Sequence, residues 1–536
     1  MSESGTGAVV KILIVTKGYY PHGDANGAVV RNLADALTGM GHSLHVVGLS
    51  GERADTAVTR RRSEENADTA VTRRLAEEKA DAVLTRRQGE RITNLYVPEM
   101  RSRAQLMGNL KGHFVKTAWL IARRALAEGK RSAFRKYREL SVYPPYAKAY
   151  RRFFRDHLRQ ETYDLVLITL MPQDAVWAWQ REGSPLPWAV YQLDTFWNRG
   201  TDTEEHLEER KAFERKMAEE CAFVLTTPLI AEENARQWPE LKGKWIPSEF
   251  PMVVRPEGIR KETDFVRGRS SEAPAKSSSG QNGRRELTFT EEENDVCDPR
   301  GRERQRNGMN GNPVHLVFAG ALYPGLRPPE QVIQVVAAWR GAGLVRERAS
   351  EAVPNSSSGW NGKRELTLTE RTAREEAPRE EMVCFDFYGS HQELIEASPD
   401  YDRARDWLTL HGQVSSGEAA AAREAADFLI NIDNTNPMQV PSKIFEYIST
   451  GKPIVNFVFD DASPILPYLA DYPLCLTINL NRMEDGGREA AERLSAFVRE
   501  NRGKRIPFEE IRERYRACTP EYVARQLVEA VPGARS

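Results

Sequence analysis

The chain has 536 residues, of which 40% are hydrophobic, and its 76 Lys and Arg side chains are balanced by 77 Asp and Glu. This length exceeds what one compact core normally accommodates, so we expect at least two domains. The balanced charge excludes a globally basic nucleic-acid-binding protein. A charged fraction of 29% also predicts segments that do not pack into a core.

The cysteines and the N-terminus predict the compartment. The five cysteines are scattered without a CxxC pair or a histidine at ligand spacing, so neither a metal site nor a disulfide framework is expected. The first residues lack the basic start and apolar run of a signal peptide, and no stretch reaches the roughly 18 apolar residues of a membrane span. We predict a cytoplasmic protein, with peripheral association at the inner face of the membrane as the alternative.

In the first half of the chain, β-rich runs alternate with helical patterns, which predicts a parallel sheet flanked by helices. The first unit is a strand at Val9–Thr16, a helix from about Ala28 to Met40 and a strand at His42–Leu49. The further predicted strands are Ile92–Val97, Tyr163–Leu170, Trp188–Leu193, Ala222–Thr227 and Lys244–Pro247. We assign residues 1–255 to a Rossmann-like, doubly wound domain.

Two kinds of repeat interrupt these patterns. ADTAVTRR at 54–61 recurs at 67–74, and as ADAVLTRR at 80–87, so we interpret 51–90 as a repeat insertion. A longer Ser-, Gly- and Asn-rich repeat at 272–291 and 351–370 predicts low-complexity segments at 256–312 and 348–381. We interpret these segments as insertions in surface loops, and partner-binding modules are the alternative.

Residues 101–160 form a basic, aromatic arm with helical apolar spacing. This segment contains sixteen Lys and Arg residues but only three Asp and Glu. This composition suits an anionic membrane surface or a lipid-diphosphate acceptor. The competing interpretations are a solvated helical face packed on the first domain and a nucleic-acid patch, of which the nucleic-acid patch is disfavoured.

The second half repeats the alternation and predicts a second Rossmann-like domain over residues 313–515. Residues 516–536 form a predicted C-terminal helix, for which a return to the first domain is one option. The predicted strands are Val314–Leu322, Met382–Ser390, Leu408–Val414, Asp427–Ile432, Pro453–Val458 and Leu474–Leu480, and the predicted helices are Gln331–Trp339, Ser416–Ala426 and Ser442–Thr450.

The stretch from 426 to 457 carries the most chemistry. A buried strand ends at Ile432, a polar loop follows, and Ser442 begins a helix. In an open α/β sheet, ligands bind beyond the carboxyl ends of the strands, where helix N-termini attract anions. Glu446 lies one turn into this helix, where its carboxylate suits the vicinal hydroxyls of a ribose. The alternative role is complementing the helix dipole.

Three segments resemble family-4 glycosyltransferases: VPSKIFEYISTGKPIV at 440–455, LVFAGALYPGLRPPEQVI at 316–333, and ILIVTKGYYPHGDANGAVVRNLADALTGMGHSLHVV at 12–47. The resemblance spans nearly the whole chain outside the insertions. It implies the GT-B fold, an α/β architecture of two Rossmann-like doubly wound domains facing a central cleft. The first domain would then take the acceptor and the second the nucleotide-sugar donor.

By position, Glu446 resembles the second glutamate of the family's E-x7-E motif, which holds the ribose. The first glutamate would stand at Met438, so the resemblance is broken there. Asn436 and the backbone around Met438 and Gln439 are the candidates for the donor-sugar hydroxyls. Ser442 begins the donor-binding helix.

Arg327 resembles the basic residue that neutralises the donor diphosphate and helps the leaving group depart. A solvated loop arginine is the alternative. The family often has a second basic residue after the loop glycine, but Ala321 follows Gly320 in this chain. Lys443 is the candidate that supplies the missing charge.

The loop from Gly23 to Gly27 resembles the family's Gly-rich loop on the acceptor side, where the backbone approaches the donor phosphate or the sugar under attack. Asp194 and His22 are the polar candidates nearest the cleft. Asp194 either orients the acceptor or caps the following turn.

The resemblance implies a retaining, hexosyltransferase-like enzyme that moves a sugar from a nucleotide diphosphate to a saccharide or lipid-linked acceptor, in bacterial surface polysaccharide assembly. It implies no obligatory metal and no cofactor beyond the nucleotide-sugar substrate. Two alternatives stay open: a non-catalytic nucleotide-binding scaffold of the same fold, and a nucleotide-sugar epimerase. An epimerase would need acid/base carboxylates in the first domain, and none is clearly placed there.

Overall fold

The computed structural model describes residues 9–19, 25–50, 82–87, 90–96, 144–170, 173–197, 203–256, 313–351, 382–436, 439–483 and 486–533. These residues form two doubly wound α/β domains in tandem. The predicted fold class of two Rossmann-like domains is therefore confirmed. The longer low-complexity repeats, most of the insertion at 51–90 and the arm from 101 to 143 lie outside the described residues.

The first domain is built on a sheet of eight described strands in the order β3-β4-β2-β1-β5-β6-β7-β8. Neighbouring strands are parallel, except that β3 runs antiparallel to β4. The chain order reverses at β1, between β2 and β5, which is the kind of point where open α/β sheets bind ligands. The strands are β1 (Lys11–Val15), β2 (Ser43–Ser50), β3 (Ala82–Arg87), β4 (Glu90–Tyr96), β5 (Leu165–Thr169), β6 (Trp188–Gln192), β7 (Val224–Thr226) and β8 (Trp245–Pro247).

Helices cover both faces of this sheet. They are α1 (Ala25–Gly39), α2 (Pro144–His157), α3 (Asp174–Glu182), α4 (Glu204–Glu220) and α5 (Pro228–Gln237). Helix α1 begins at Ala25, before the predicted start near Ala28. The prediction began too late because the first turn contains Asn26 and Gly27, two residues with low helix propensity. Strand β3 falls inside the segment predicted as a repeat insertion, and it adds a strand at the sheet edge.

The second domain has six described strands in the order β11-β10-β9-β12-β13-β14, all parallel. The strands are β9 (Val314–Ala319), β10 (Val383–Tyr388), β11 (Leu408–Leu410), β12 (Phe428–Ile432), β13 (Ile454–Val458) and β14 (Cys475–Asn479). The helices are α6 (Glu330–Glu351), α7 (Glu393–Glu396), α8 (Tyr401–Ala404), α9 (Ser416–Ala425), α10 (Lys443–Thr450), α11 (Leu466–Ala470), α12 (Arg488–Asn501), α13 (Phe508–Arg514) and α14 (Pro520–Ala530).

Local sequence explains the elements that later position the site. Every residue of β12 is buried, as expected for a continuous apolar run in a central parallel strand. A capping box between Ser415 and Glu418 starts α9. Gly451 ends α10 with a φ of 73°, and a Cβ there would lie 2.1 Å from the Ile506 carbonyl oxygen. Only glycine fits this close turn.

The two domains share a continuous apolar core. The aromatic rings of Phe250 and Phe445, one from each half of the chain, lie with centroids 5.6 Å apart. Helix α14 packs on α1 of the first domain, and the backbone N–H of Val253 donates to the Cys518 carbonyl at 3.0 Å. The C-terminal segment therefore joins both domains.

Candidate functional site

The carboxyl end of β9 and the start of α10 bring two predicted cations together. Arg327, in the loop after β9, donates from Nε to Asn434 Oδ1 at 2.9 Å and from Nη1 to the Ala321 carbonyl at 3.0 Å. Burial lowers the pKa of its guanidinium, but arginine stays charged at neutral pH. The structure therefore holds Arg327 in a fixed pose and excludes a freely solvated loop arginine.

Lys443 lies in the first turn of α10 and points at the same strand end. Its Nζ donates to the Ala319 carbonyl at 2.8 Å, and the Tyr447 hydroxyl accepts the Ala319 N–H at 2.9 Å. Burial lowers the pKa of the Lys443 ammonium, Glu446 opposes this shift, and Arg423 and Arg327 add to it. Arg327 and Arg423 thus both lie close enough to Lys443 to disfavour its charged form.

Glu446 is engaged within the protein. Its Oε2 lies 3.1 Å from Arg423 Nη2 on α9, and the side chains are 23% and 9% exposed, respectively. The Glu446 side chain is partly exposed, so water still reaches it. The pair also fixes the Glu446 rotamer. The role assigned from the sequence is compatible with this geometry, and Arg423 is a residue that sequence reasoning missed.

A buried carboxylate that sequence reasoning missed lies beneath the site. Asp433 directly follows β12 and is fully buried. It accepts hydrogen bonds from the Ser463 hydroxyl and from the backbone N–H of Asn434. Burial raises the pKa of Asp433, and these two bonds and the nearby Arg327 oppose the rise. Its place after a buried strand, in the sequence NIDN, was the available signal.

Glycines allow the loops after β9 and β10 to touch. The Gly320 N–H donates to the Tyr388 carbonyl at 2.8 Å. A Cβ at Gly389, where φ is 138°, would lie 1.8 Å from the Gly320 carbonyl oxygen, and a Cβ at Gly320 would lie 2.8 Å from the Phe318 ring. Gly320 therefore shapes the loop that carries Arg327.

One hydrogen bond crosses between the domains at the carboxyl ends of both sheets. Gln439 Nε2, in the loop before α10, donates to Oδ1 of Asp194, which follows β6, at 2.9 Å. The Asn436 carbonyl accepts the Gln439 N–H at 3.3 Å. Asp194 in the first domain and the loop before α10 in the second domain are thus brought together.

The remaining predicted residues are placed differently. Gly27 lies buried inside the first turn of α1. This corrects the assignment of a loop from Gly23 to Gly27, because the helix starts two residues before Gly27. Ser442 precedes α10, but its side chain makes no capping hydrogen bond. Gly23, His22 and Met438 lie outside the described residues.

A second buried carboxylate supports the first-domain side. Glu214 on α4 is fully buried and accepts from Gln192 Nε2 at 2.7 Å and from Asn234 Nδ2 at 2.9 Å. Burial raises the pKa of Glu214 to about 7, and hydrogen bonds from Gln192, Asn234 and Trp197 oppose the rise. Gln192 ends β6, two residues before Asp194. Glu214 therefore contacts Gln192 and Trp197, which lie on either side of Asp194 in the sequence.

The assembled site suits an anionic, hydroxyl-bearing ligand. Arg327, Lys443 and Arg423 supply positive charge beside the N-terminus of α10, which itself favours anions. Glu446 supplies an acceptor for hydroxyls. Among the described residues, no group of three or more His, Cys, Asp or Glu side chains is arranged to hold a metal ion.

The fold places the chain in the class of proteins with two Rossmann-like domains in tandem. No family model matches it, and no curated protein matches it in sequence. Solved structures that it resembles include glycosyltransferases. It is 10% identical to α,α-trehalose 6-phosphate synthase from Burkholderia multivorans, with 98% of each chain covered and a TM-score of 0.48.

Two further structures resemble the chain over a similar extent. The catalytic domain of starch synthase IV from Arabidopsis thaliana is 10% identical, with 98% of this chain and 99% of that chain covered and a TM-score of 0.45. A glycosyltransferase from Rickettsia africae is 9% identical, with the same coverage and TM-score.

Proposed function

We propose that the chain is a retaining glycosyltransferase that uses a nucleotide-diphosphate sugar as donor. The observation that carries the proposal is the convergence of Arg327 and Lys443 at the Ala319–Ala321 strand end, beside the N-terminus of α10. Rupture of the bond between sugar and diphosphate leaves negative charge on the departing phosphate. Fixed cations and helix N–H groups stabilise that charge more in the transition state than in the ground state.

In this proposal, each side chain has one task. Arg327 and Lys443 bind the diphosphate, and Glu446 accepts the ribose hydroxyls. Asp194 orients the acceptor from the opposite domain, and Asn436 faces the donor sugar. Because fixed cations provide the charge compensation, the proposal includes no metal and no cofactor other than the donor substrate.

The first test is donor hydrolysis, which many transferases catalyse slowly when water replaces the acceptor. The full chain is incubated with a panel of nucleotide-sugars, and release of the nucleoside diphosphate is measured. We expect Arg327→Ala to lower kcat/KM by about 10²- to 10³-fold, the usual effect of removing one charge-stabilising donor. Arg499→Ala, on the exposed side of α12, is the matched control. Nucleotide binding without any turnover would indicate a scaffold instead.

For the acceptor we propose a saccharide or lipid-linked molecule of bacterial surface polysaccharide assembly, reached by a cytoplasmic enzyme at the inner face of the membrane. Helix α2 supports the membrane part. Lys148, Arg152 and Arg155 are exposed at helical spacing on one side, whereas Tyr150 and Phe154 are buried in the core of the first domain. Any membrane contact of this helix is therefore electrostatic rather than by aromatic insertion.

Liposome flotation tests the membrane proposal. We expect the full chain to float with vesicles containing anionic lipid at low salt and to be released as salt rises. A triple Lys148→Gln, Arg152→Gln, Arg155→Gln variant should float less than the unchanged chain. Failure of the unchanged chain to float at low salt would remove the membrane proposal and leave the transferase proposal intact. No described helix is long and apolar enough to cross a bilayer.

A further inference from the structure

One residue in the loop after β10 has an unusual backbone conformation. His391 has a φ of 64°, and it is the one non-glycine residue with positive φ among the described parts of the chain. Side chains with a Cβ rarely adopt this left-handed conformation, and such residues concentrate at ligand-binding positions. The imidazole is 44% exposed, and its Nδ1 lies 3.0 Å from Glu393 Oε1. The loop thus holds this ring at the surface at an energetic cost.

An exposed aromatic ring lies beside it. Tyr323, in the loop after β9, is 44% exposed and is the one aromatic side chain among the exposed large hydrophobic residues of the described chain. Its ring centroid is 5.8 Å from that of His391, and the two planes meet at 44°. Together Tyr323 and His391 form a shallow corner with an exposed aromatic surface, which we call the Tyr323–His391 shelf.

The shelf lies next to Arg327, the side chain that binds the diphosphate in the proposed function. Tyr323 and Arg327 share the loop after β9, and His391 lies in the adjoining loop after β10. The Arg327 N–H donates to the Tyr323 carbonyl at 3.0 Å, and the Leu322 N–H donates to the Ser390 carbonyl at 3.2 Å. The Arg327 guanidinium carbon is 5.8 Å from the centroid of the Tyr323 ring. An anion held by Arg327 therefore has an exposed aromatic surface immediately beside it.

We propose that the Tyr323–His391 shelf stacks against the base of the donor nucleotide. This inference rests on the proposed function, because a nucleotide-sugar joins the two chemistries that the loop presents. Its diphosphate requires cations, and its base is the planar aromatic part of the molecule. Every base has a π-face, so stacking provides affinity with little discrimination between bases. The shelf thus contributes affinity, and base selection falls to other contacts.

The test measures affinity by calorimetry for UDP, ADP and GDP, with inorganic pyrophosphate as the ligand that has no base. We expect Tyr323→Ala and His391→Gly each to weaken nucleotide binding about tenfold and to leave pyrophosphate affinity unchanged. Tyr323→Phe keeps the ring and should bind as the unchanged chain does. His391→Gly relieves the positive φ while it removes the ring, so weaker binding by a protein of equal or higher thermal stability cannot arise from unfolding.

Two outcomes would contradict the proposal that the base stacks on the Tyr323–His391 shelf. Nucleotide affinity that is unchanged in both Tyr323→Ala and His391→Gly would show that no base stacks there. An equal loss for nucleotides and pyrophosphate would show that the rings act only by positioning Arg327. Failure of the proposed function gives a different pattern, namely nucleotides that bind through the shelf and nucleotide-sugars that are never hydrolysed.

Discussion

The ion pair between Arg423 and Glu446 provides a test in which stability and ligand binding separate. We consider Glu446→Gln, which keeps the size of the side chain but not its charge, and Arg423→Met, which keeps much of the apolar stem. An exposed pair contributes about 0.2–1 kcal/mol, whereas breaking a fully buried pair costs about 3–5 kcal/mol. The N–O distance of 3.1 Å and exposures of 9% and 23% place this pair between the two cases.

The two variants should differ in stability because their remaining partners differ in access to water. Glu446→Gln leaves the guanidinium of Arg423 unpaired at 9% exposure, and we expect a loss of about 2 kcal/mol in the free energy of unfolding. Arg423→Met leaves a carboxylate that water still reaches, so the expected loss is about 1 kcal/mol. Chemical denaturation of the full chain at neutral pH measures both values.

Ligand binding should rank the same variants in a way that stability alone does not explain. If Glu446 accepts the ribose hydroxyls, Glu446→Gln weakens binding of a nucleoside diphosphate by about 10- to 100-fold, the value of charge-assisted hydrogen bonds. Arg423→Met retains the carboxylate and should stay within about threefold. The preference for a ribonucleotide over its 2′-deoxy form should shrink in Glu446→Gln only.

The result that would refute this reasoning is equal loss of nucleotide affinity in both variants, with the 2′-deoxy preference unchanged. The carboxylate would then serve only as the partner of Arg423. Calorimetric titrations of the unchanged chain and the two variants, each with a ribonucleotide and its 2′-deoxy form, give the necessary six affinities. Variants that bind pyrophosphate as the unchanged chain does are folded at the site.

Three further predictions concern other parts of the site. Gln439→Glu places a second carboxylate where a hydrogen bond of 2.9 Å to Asp194 now lies, so donor hydrolysis should fall at least ~10-fold and recover when Asp194→Asn is added. Burial raises the pKa of Glu214 from 4.5 to about 7. Folded Glu214 therefore binds more protons than unfolded Glu214 between these values, and its contribution to stability should fall by about 3 kcal/mol as pH rises through that window; thermal denaturation of Glu214→Gln should lack this contribution to the pH dependence. Gly389→Ala, whose Cβ would lie 1.8 Å from a carbonyl oxygen, should lose more than ~2 kcal/mol, whereas Gly412→Ala has positive φ but open space and should lose ~1 kcal/mol in denaturant unfolding.

The sheets could be predicted because their strands are continuous apolar runs. The runs at β9 and β12 are buried almost throughout, and burial on both faces of a parallel sheet leaves a hydrophobic signal that needs no tertiary information. Helix boundaries depend on weaker signals. Asn26 and Gly27 lie in the first turn of α1, although their low helix propensity predicts a later start. Tertiary packing outweighs this propensity.

The contacts of the site were beyond sequence reasoning because they join distant positions. The bond from Gln439 to Asp194 spans 245 residues, and no local pattern encodes it. Glu214 lies in the charged run EERKAFERKMAEE, which is typical of a solvated helix face. In the folded chain this one carboxylate is instead buried in the core, where it accepts hydrogen bonds from Gln192 and Asn234.

The placement of charge explains how this site manages without a basic residue at Ala321. Arg327, Lys443 and Arg423 face the carboxylates of Glu446 and Asp433, so the cluster carries one excess positive charge when all five are ionised. Burial raises the pKa of Asp433 and lowers that of Lys443, so each carries its charge against a desolvation penalty. A bound diphosphate would favour the charged form of Lys443 and disfavour that of Asp433. Nucleotide binding should therefore raise thermal stability and take up protons at Asp433 at the acid end of the pH range. Arg423 on α9 and Lys443 on α10 thus add positive charge to a site where the loop after β9 contributes only Arg327.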